Sequence, residues 1–259
     1  MNISDLQKFK KNGEKITCLT AYDSSFAQIF DQCGIDIILI GDSLGNVIKG
    51  EKNTLGVNME QMIYHTRAVA NGANKALLIA DMPYQSYDSA EKTLQNAQLL
   101  MDAGAQMIKF EGGSEQQDCF EILQKNRIPV CGHLGLQPQS VIKMGGYKVQ
   151  GKDAKSAQKI LTDAKALQNW GVQTIVLECI PAILAQQIST QIQIPTIGIG
   201  AGKDCDGQVL VSYDMLGITQ NAPKFVKNFL TNGNIKSATS DFIQAVKTSK
   251  FPTAEHSYQ

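Results

Sequence analysis

The stretch ALLIADMPYQSYDSAEKTLQNAQLLMDAGAQMIKFEGG, residues 76–113, decides the fold. It opens on a continuously apolar run, Ala76–Ala80, and ends on another, Met107–Phe110. Apolar runs without polar alternation read as parallel strands buried on both faces. Between them, residues 88–103 set Ala90, Leu94, Ala97 and Leu100–Met101 on one helical stripe. Asp88 with Glu91 resembles a capping box at the helix start, and Gly104 supplies the stop. Strand, helix, glycine, strand is one βαβ unit. Repeated with right-handed crossovers, it makes either a doubly wound sheet or a closed barrel.

Working outward, the same unit recurs. The other strand candidates are Ile16–Thr20, Ile35–Ile40, Ile128–Cys131, Gln173–Leu177, Pro195–Ile199 and a weaker Val209–Ser212. A second clear helix, 153–170, carries the stripe Ala157, Ile160–Leu161, Ala164, Leu167 and Trp170, with Gly171 after it; Cys33-Gly34 repeats the helix-to-glycine ending. Together these make the eight strands that a barrel closes with, and a barrel of that kind takes about 250 residues. The chain has 259, and no Pro/Ser-rich linker or break in composition divides it. The expected architecture is α/β, a single (β/α)8 TIM-type barrel over residues 1–259. The stretch FPTAEHSYQ, from about residue 251, reads as a polar C-terminal tail.

Composition narrows the function classes. Hydrophobic residues make up 43% of the chain and charged residues 19%, an ordinary globular balance. Twenty-four basic residues cancel twenty-four acidic ones, which leaves no electrostatic footprint for nucleic acid or an anionic membrane. Near neutrality, defined self-association is one route to solubility. The opening MNISDLQKFKKNGEK is polar and lacks the apolar region of a signal peptide, and no apolar run reaches the roughly 18 residues of a membrane span. Cysteines 18, 33, 119, 131, 179 and 205 form no C-x-x-C pair and read as reduced, mostly buried thiols of a cytoplasmic enzyme.

Barrel chemistry sits at the C-terminal mouth, where strands end. The residues closing the apolar runs are Asp42-Ser43, Asp81, Lys109 with Glu111, His133, Glu178 and the glycines of IGIGAG at 198–202. One such residue reads as a helix cap; a set at successive strand ends reads as one site. Residues two apart on a strand share a face, so Lys109 and Glu111 both point to the axis, either as catalytic groups or as a local ion pair. Asp42, Asp81 and Glu111 offer hard oxygen ligands without thiolates, which favours Mg2+ over zinc, with one of the three acids free to act through a water. His65 falls on a helix-like stretch and reads as a packing or surface residue; His256 lies in the tail. IGIGAGKD lacks the third glycine of a dinucleotide fingerprint, but its turn could admit a phosphate or a flat ring. Walker, zincin and serine-hydrolase signatures are absent.

The strings TAYDSSFA, LIGDSLGNVIKG, LIADMPY, KFEGG, VCGHLGLQPQSV, LECIP, IPTIGIGAG and DGQVLV run in order over about residues 19–225. In them the chain resembles the ketopantoate hydroxymethyltransferase family. The resemblance implies a Mg2+-dependent barrel, a homodecamer, and transfer of a hydroxymethyl group from 5,10-methylenetetrahydrofolate to 3-methyl-2-oxobutanoate, giving 2-dehydropantoate in pantothenate and coenzyme A biosynthesis. It also implies roles: Asp42, Asp81 and Glu111 at the metal; Asp42, Ser43, Asp81, Lys109 and His133 at the 2-oxo acid; Glu178 as general base. A metal held by the keto acid's oxygens would stabilise an enolate as a Lewis acid. The pterin of the folate is expected across the mouth near Gly198–Gly202. A Mg2+-dependent C–C lyase or phosphoenolpyruvate-type transferase on another 2-oxo acid would use the same carboxylates, and a non-enzymatic metabolite-binding barrel is the third alternative.

Overall fold

The computed structural model describes residues 1–259. Eight parallel strands close on themselves in sequence order: β1 (Ile16–Thr20), β2 (Ile37–Ile40), β3 (Leu77–Asp81), β4 (Met107–Glu111), β5 (Val130–Gly135), β6 (Thr174–Glu178), β7 (Thr196–Ile199) and β8 (Gly207–Leu210). The closing pair is β1 with β8, in register Cys18 to Val209. Except for Glu178 at the end of β6, every strand residue is buried, as continuous Val/Ile/Leu runs require when one face meets the barrel interior and the other the helices. The single (β/α)8 architecture is therefore observed, and the doubly wound alternative is excluded by closure. No helix is long and apolar enough to cross a membrane, and all six cysteines are free thiols, five of them buried.

The bottom of the barrel shows why the strands hold this register. The residue just before each even strand is Asp36, Gln106, Gln173 or Asp206. Each accepts a hydrogen bond from the backbone N–H of the residue opposite it on the preceding odd strand: Thr17, Leu78, Val130 and Thr196, at 2.5–2.9 Å. These N–H groups would otherwise end the ladders unpaired. The two acidic clamps are neutralised from the chain's ends. Lys10, on helix Ile3–Asn12, pairs with Asp206 at 2.7 Å, and Lys247, on helix Ile235–Lys247, pairs with Asp36 at 2.5 Å. The polar opening of the chain thus contains a helix with Leu6 fully buried under the barrel.

Helix boundaries follow local chemistry. The helix after β3 spans Ala90–Asp102, and its N-cap is Ser89, whose Oγ accepts from Lys92 N at 3.3 Å. The expected cap, Asp88, lies one residue outside and pairs with Lys92 instead, at 3.1 Å. Asp153 caps helix Ala154–Asn169, accepting from the backbone N–H of Lys155 and Ser156. Outward-facing Phe110 stacks on Phe120 at 4.3 Å between centroids, and Tyr87 lies tilted against Phe110 at 5.1 Å. Phe110 faces the helices because its neighbours Lys109 and Glu111 face the axis.

The segment from 251 is not a tail. Phe251 is 3% exposed and packs edge-on against Phe229, at 5.5 Å between centroids. Tyr258 bridges to Pro181, and its carbonyl accepts from Ala182 N at 2.9 Å, which carries the chain back to the barrel mouth. Polar composition hid this, because Phe251, Pro252 and Ser257 are buried while Thr253, Ala254 and Glu255 between them are exposed. His256 serves the strap locally, its Nδ1 lying 2.7 Å from Thr253 Oγ1.

Candidate active site

The mouth holds a cavity of about 640 Å3 whose walls include Asp42, Ser43, Asp81, Lys109, Glu111, His133 and Glu178. All seven candidates from the sequence thus line one space, delivered by five strands. On β3 and β4, Asp81 is the last strand residue, and its Oδ1 accepts from Lys109 Nζ at 2.6 Å. Its Oδ2 accepts from the backbone N–H of Asp42 at 3.1 Å, which ties the β2 loop to β3. Lys109 therefore pairs with Asp81 and not with Glu111, its neighbour two residues along the same strand. Glu111 turns instead toward the loop after β5, where both of its oxygens accept from Gln139 N at 3.3 and 3.1 Å. Ser43 Oγ lies 2.9 Å from Tyr22 OH.

His133 sits on β5 between two carboxylates: Nε2 is 3.2 Å from Glu178 Oε2, and Nδ1 is 3.7 Å from Glu111 Oε1. Neither contact is aligned as a hydrogen bond, so both ring nitrogens are buried without a partner, as is Thr54 Oγ1 on the same wall. Buried polar atoms left unpaired at a cavity wall suit a polar ligand, because leaving them so costs about 1–3 kcal/mol each.

The electrostatics follow from crowding four carboxylates around one buried lysine. Burial, then Asp81, pushes Asp42 up to about 7. Glu111 is driven well above the carboxylate range by burial and by Asp42. Burial raises Glu178 to about 8 despite the pull of Lys109. His133 is held far below its usual value by burial and Lys109, and is therefore neutral. For Lys109 itself, burial works against the charge, but Asp81 and Asp42 more than offset it and keep the ammonium ionised.

Asp42, Asp81 and Glu111 share the cavity, yet no three such side chains converge as a ready ligand cluster. The hydrogen bonds explain why: Glu111 is turned to the Gln139 backbone, whereas Asp42 and Asp81 are joined through the Asp42 N–H. Asp42 Oδ2 accepts from Gln139 Nε2 at 2.7 Å, and the Thr54 hydroxyl lies beside the same carboxylate. Asp42, Asp81 and Glu111 are an all-oxygen donor set, of the chemistry that suits a hard cation that keeps waters.

The glycines at 198–202 do not form an open platform. Of that stretch only Ile199 lines the cavity. A methyl group on Gly198 would meet Cys205 Sγ at 2.9 Å, on Gly200 the Phe225 ring at 2.8 Å, and on Gly202 the Ala182 side chain at 2.6 Å. The loop therefore packs closely on neighbouring protein, while Phe225 and Tyr258 beside Gly200 line the cavity. His65 is where a packing residue belongs, half-buried with Nδ1 2.6 Å from Tyr22 O. Cavity residues the sequence did not flag include Thr54, Asp214, Tyr147 and Tyr258; Gln139 sits behind the wall.

A sequence model described as ketopantoate hydroxymethyltransferase matches residues 1–254. The 3-methyl-2-oxobutanoate hydroxymethyltransferase of Ruthia magnifica subsp. Calyptogena magnifica is 66% identical, with all of both chains covered. That of Alteromonas mediterranea is 52% identical over 100% of this chain and 99% of its own. Among solved structures, phosphonopyruvate hydrolase superposes with a TM-score of 0.63 at 16% identity, covering 82% of this chain and 80% of that one. Oxaloacetate acetylhydrolase gives 0.62 at 11%, covering 97% and 98%. At such identities the structural likeness speaks to the barrel alone.

Proposed function

The chain belongs to the ketopantoate hydroxymethyltransferase family, and from that premise we propose that it transfers the one-carbon unit of 5,10-methylenetetrahydrofolate to 3-methyl-2-oxobutanoate through an enolate, with Mg2+ at Asp42 and Asp81. The activity belongs to pantothenate biosynthesis. The observation that carries the reading is the division of the cavity: an acid pair with its lysine on β2–β4, and Glu178 beside neutral His133 on β5–β6.

Each side has a task. The keto acid's C3 proton must leave next to a ketone, and Glu178 is a suitable base. Its pKa near 8 makes it a stronger acceptor than an ordinary carboxylate, while a useful fraction is still ionised near neutrality. Neutral His133 offers one ring N–H to a substrate oxygen without adding a competing charge. Lys109, fixed by Asp81, places positive charge where negative charge develops on the substrate oxygens, and Ser43 adds a hydroxyl. A bound Mg2+ would supply Lewis-acid polarisation of the ketone. The residues fit it: Asp42 is pushed up to about 7 by Asp81 and burial, strain that a divalent cation relieves. Water releases the one-carbon unit of the donor as formaldehyde and leaves tetrahydrofolate; C3 of the enolate then adds to the formaldehyde carbon, and the new alkoxide takes back the proton that Glu178 removed, giving the hydroxymethyl group.

Among the residues lining the cavity, Tyr147, Lys148 and Lys224 are exposed, and we assign the donor to that side. Homodecameric assembly in the cytoplasm belongs to the same proposal and is checked by light scattering of the purified protein. The function itself is tested by mass spectrometry of product. 2-Dehydropantoate should form only when keto acid, methylenetetrahydrofolate and a divalent cation are all present. Product formed without folate would transfer the weight to a lyase.

A further inference from the structure

Gln139 is buried, 5% exposed, in the one-turn 3-10 helix Pro138–Ser140 after β5. Its side-chain amide is fully used. Nε2 donates to Asp42 Oδ2 at 2.7 Å and to Met82 O at 2.9 Å, and Oε1 accepts from Tyr87 OH at 2.6 Å. The partners fix the amide's orientation: flipped, its oxygen would face two acceptors and its NH2 would face a hydroxyl donor. Its backbone N–H meanwhile holds both oxygens of Glu111. One residue of the β5 loop thus grips groups from the β2, β3 and β4 loops.

We propose that Gln139, itself held by Tyr87, is the positioning residue that sets the Asp42 carboxylate for a divalent cation. The proposal rests on the metal reading above. Four features support it. Gln139 Nε2 is the close donor to the Asp42 carboxylate, on Oδ2 at 2.7 Å, with the Thr54 hydroxyl the other side-chain donor beside it. Met82 O takes the second N–H, so the amide has no freedom to swing toward the cavity. Tyr87 cannot drift, because its ring lies 5.1 Å from Phe110 in the packed layer between barrel and helices. Glu111, bound to the same residue's backbone, moves with it. A carboxylate preset in this way loses less orientational freedom when it takes up an ion. Such outer partners typically contribute about 10–100-fold in metal affinity.

The experiment is Mn2+ titration of the purified full chain by electron paramagnetic resonance, with melting of the metal-free protein measured alongside. The variants are Gln139→Met, which keeps the length of the side chain and the backbone N–H, Tyr87→Phe, which removes one hydroxyl, and the two combined. Gln139→Met should weaken Mn2+ binding about tenfold or more and Tyr87→Phe less. The double variant should match Gln139→Met, because Tyr87 acts through the amide. A Gln139→Met protein that melts lower yet binds Mn2+ as the parent does would overturn the proposal and leave a purely structural residue. Should that variant fail to fold, Tyr87→Phe decides alone: an unchanged dissociation constant contradicts the proposal. A parent protein that takes up no Mn2+ would overturn the metal reading and this proposal together, an outcome distinct from loss confined to the variants.

Discussion

Replacing Lys109 with methionine removes the only buried lysine of the chain from beside Asp42, Asp81, Glu111 and Glu178. Lys109 Nζ lies 2.6 Å from Asp81 Oδ1, and both side chains are at most 7% exposed. At an effective dielectric of about 20, unit charges about 4 Å apart attract by about 4 kcal/mol. Breaking a buried pair by removing one partner costs about 3–5 kcal/mol. In a domain of this size each kcal/mol moves the midpoint by about 2–4 °C, so metal-free Lys109→Met should melt about 6–20 °C lower. Adding Asp81→Asn removes the stranded carboxylate. The double variant should therefore be more stable than the sum of the singles, by a coupling energy of about 2–3 kcal/mol. Urea melts of the four proteins of the cycle, with shared m-values, measure that coupling. Additivity within about 0.5 kcal/mol would show that the pair does not hold β3 to β4, and the electrostatic argument for the site would fail with it.

Four further outcomes follow from the same geometry. Glu178→Gln should cut C3 proton exchange about 10²–10⁴-fold with keto-acid binding little changed; parent-like exchange would assign the base elsewhere. Because burial holds Glu178 up to about 8, the ionised base is lost as pH falls, so exchange in the presence of Mg2+ should rise with pH and level off once the base is ionised, at or below about 8 because the bound cation favours the carboxylate; a rate that climbs on acidification contradicts this. Asp42 and Glu178 sit at about 7 and about 8 in the folded protein, above ordinary values of about 3.9 and 4.3, so the folded state binds more protons. His133, kept neutral in the fold, works in the opposite direction below its ordinary value of about 6.5, so metal-free stability should fall most clearly as pH rises from about 6.5 to about 8, and Mg2+ should flatten the curve; thermal melts across that range showing the opposite slope would refute it. Finally, a methyl group on Gly135 would meet Glu178 O at 2.2 Å from a backbone at φ +94. Gly135→Ala should cost about 1–3 kcal/mol in strain and about 1–3 in overpacking and slow exchange as well, and a parent-like melt and rate would count against the β5–β6 contact.

The barrel was legible because its signals are local. Runs such as Leu77–Ala80 and Met107–Ile108 are apolar without alternation, and Gly104 and Gly171 mark helix ends that the structure confirms, with φ of +113 and +83. The seven site candidates could be read because a buried apolar run that ends in a charged residue is visible in one dimension. What could not be read depends on three-dimensional convergence. Gln139 gathers partners 97, 57, 52 and 28 residues away, so no spacing announces it. The Lys109–Asp81 pair crosses between strands, where the sequence offered Lys109 and Glu111 as closer neighbours. The strap after residue 250 looks polar, because a few anchors suffice to bind it. The glycines at 198–202 read as a turn that a ligand could approach, and their close packing on Phe225, Cys205 and Ala182 had no signal in the sequence. The Asp88 and Ser89 caps differ by one residue, and both side chains suit the role.

The central claim is that this cavity enolises a 2-oxo acid before any carbon is transferred. Proton NMR of the protein with 3-methyl-2-oxobutanoate in D2O, with and without Mg2+ and without folate, tests it directly. The account predicts metal-dependent loss of the C3 proton signal while the methyl groups persist, abolished in Glu178→Gln. Retention of the C3 proton by folded protein with Mg2+ present would contradict it.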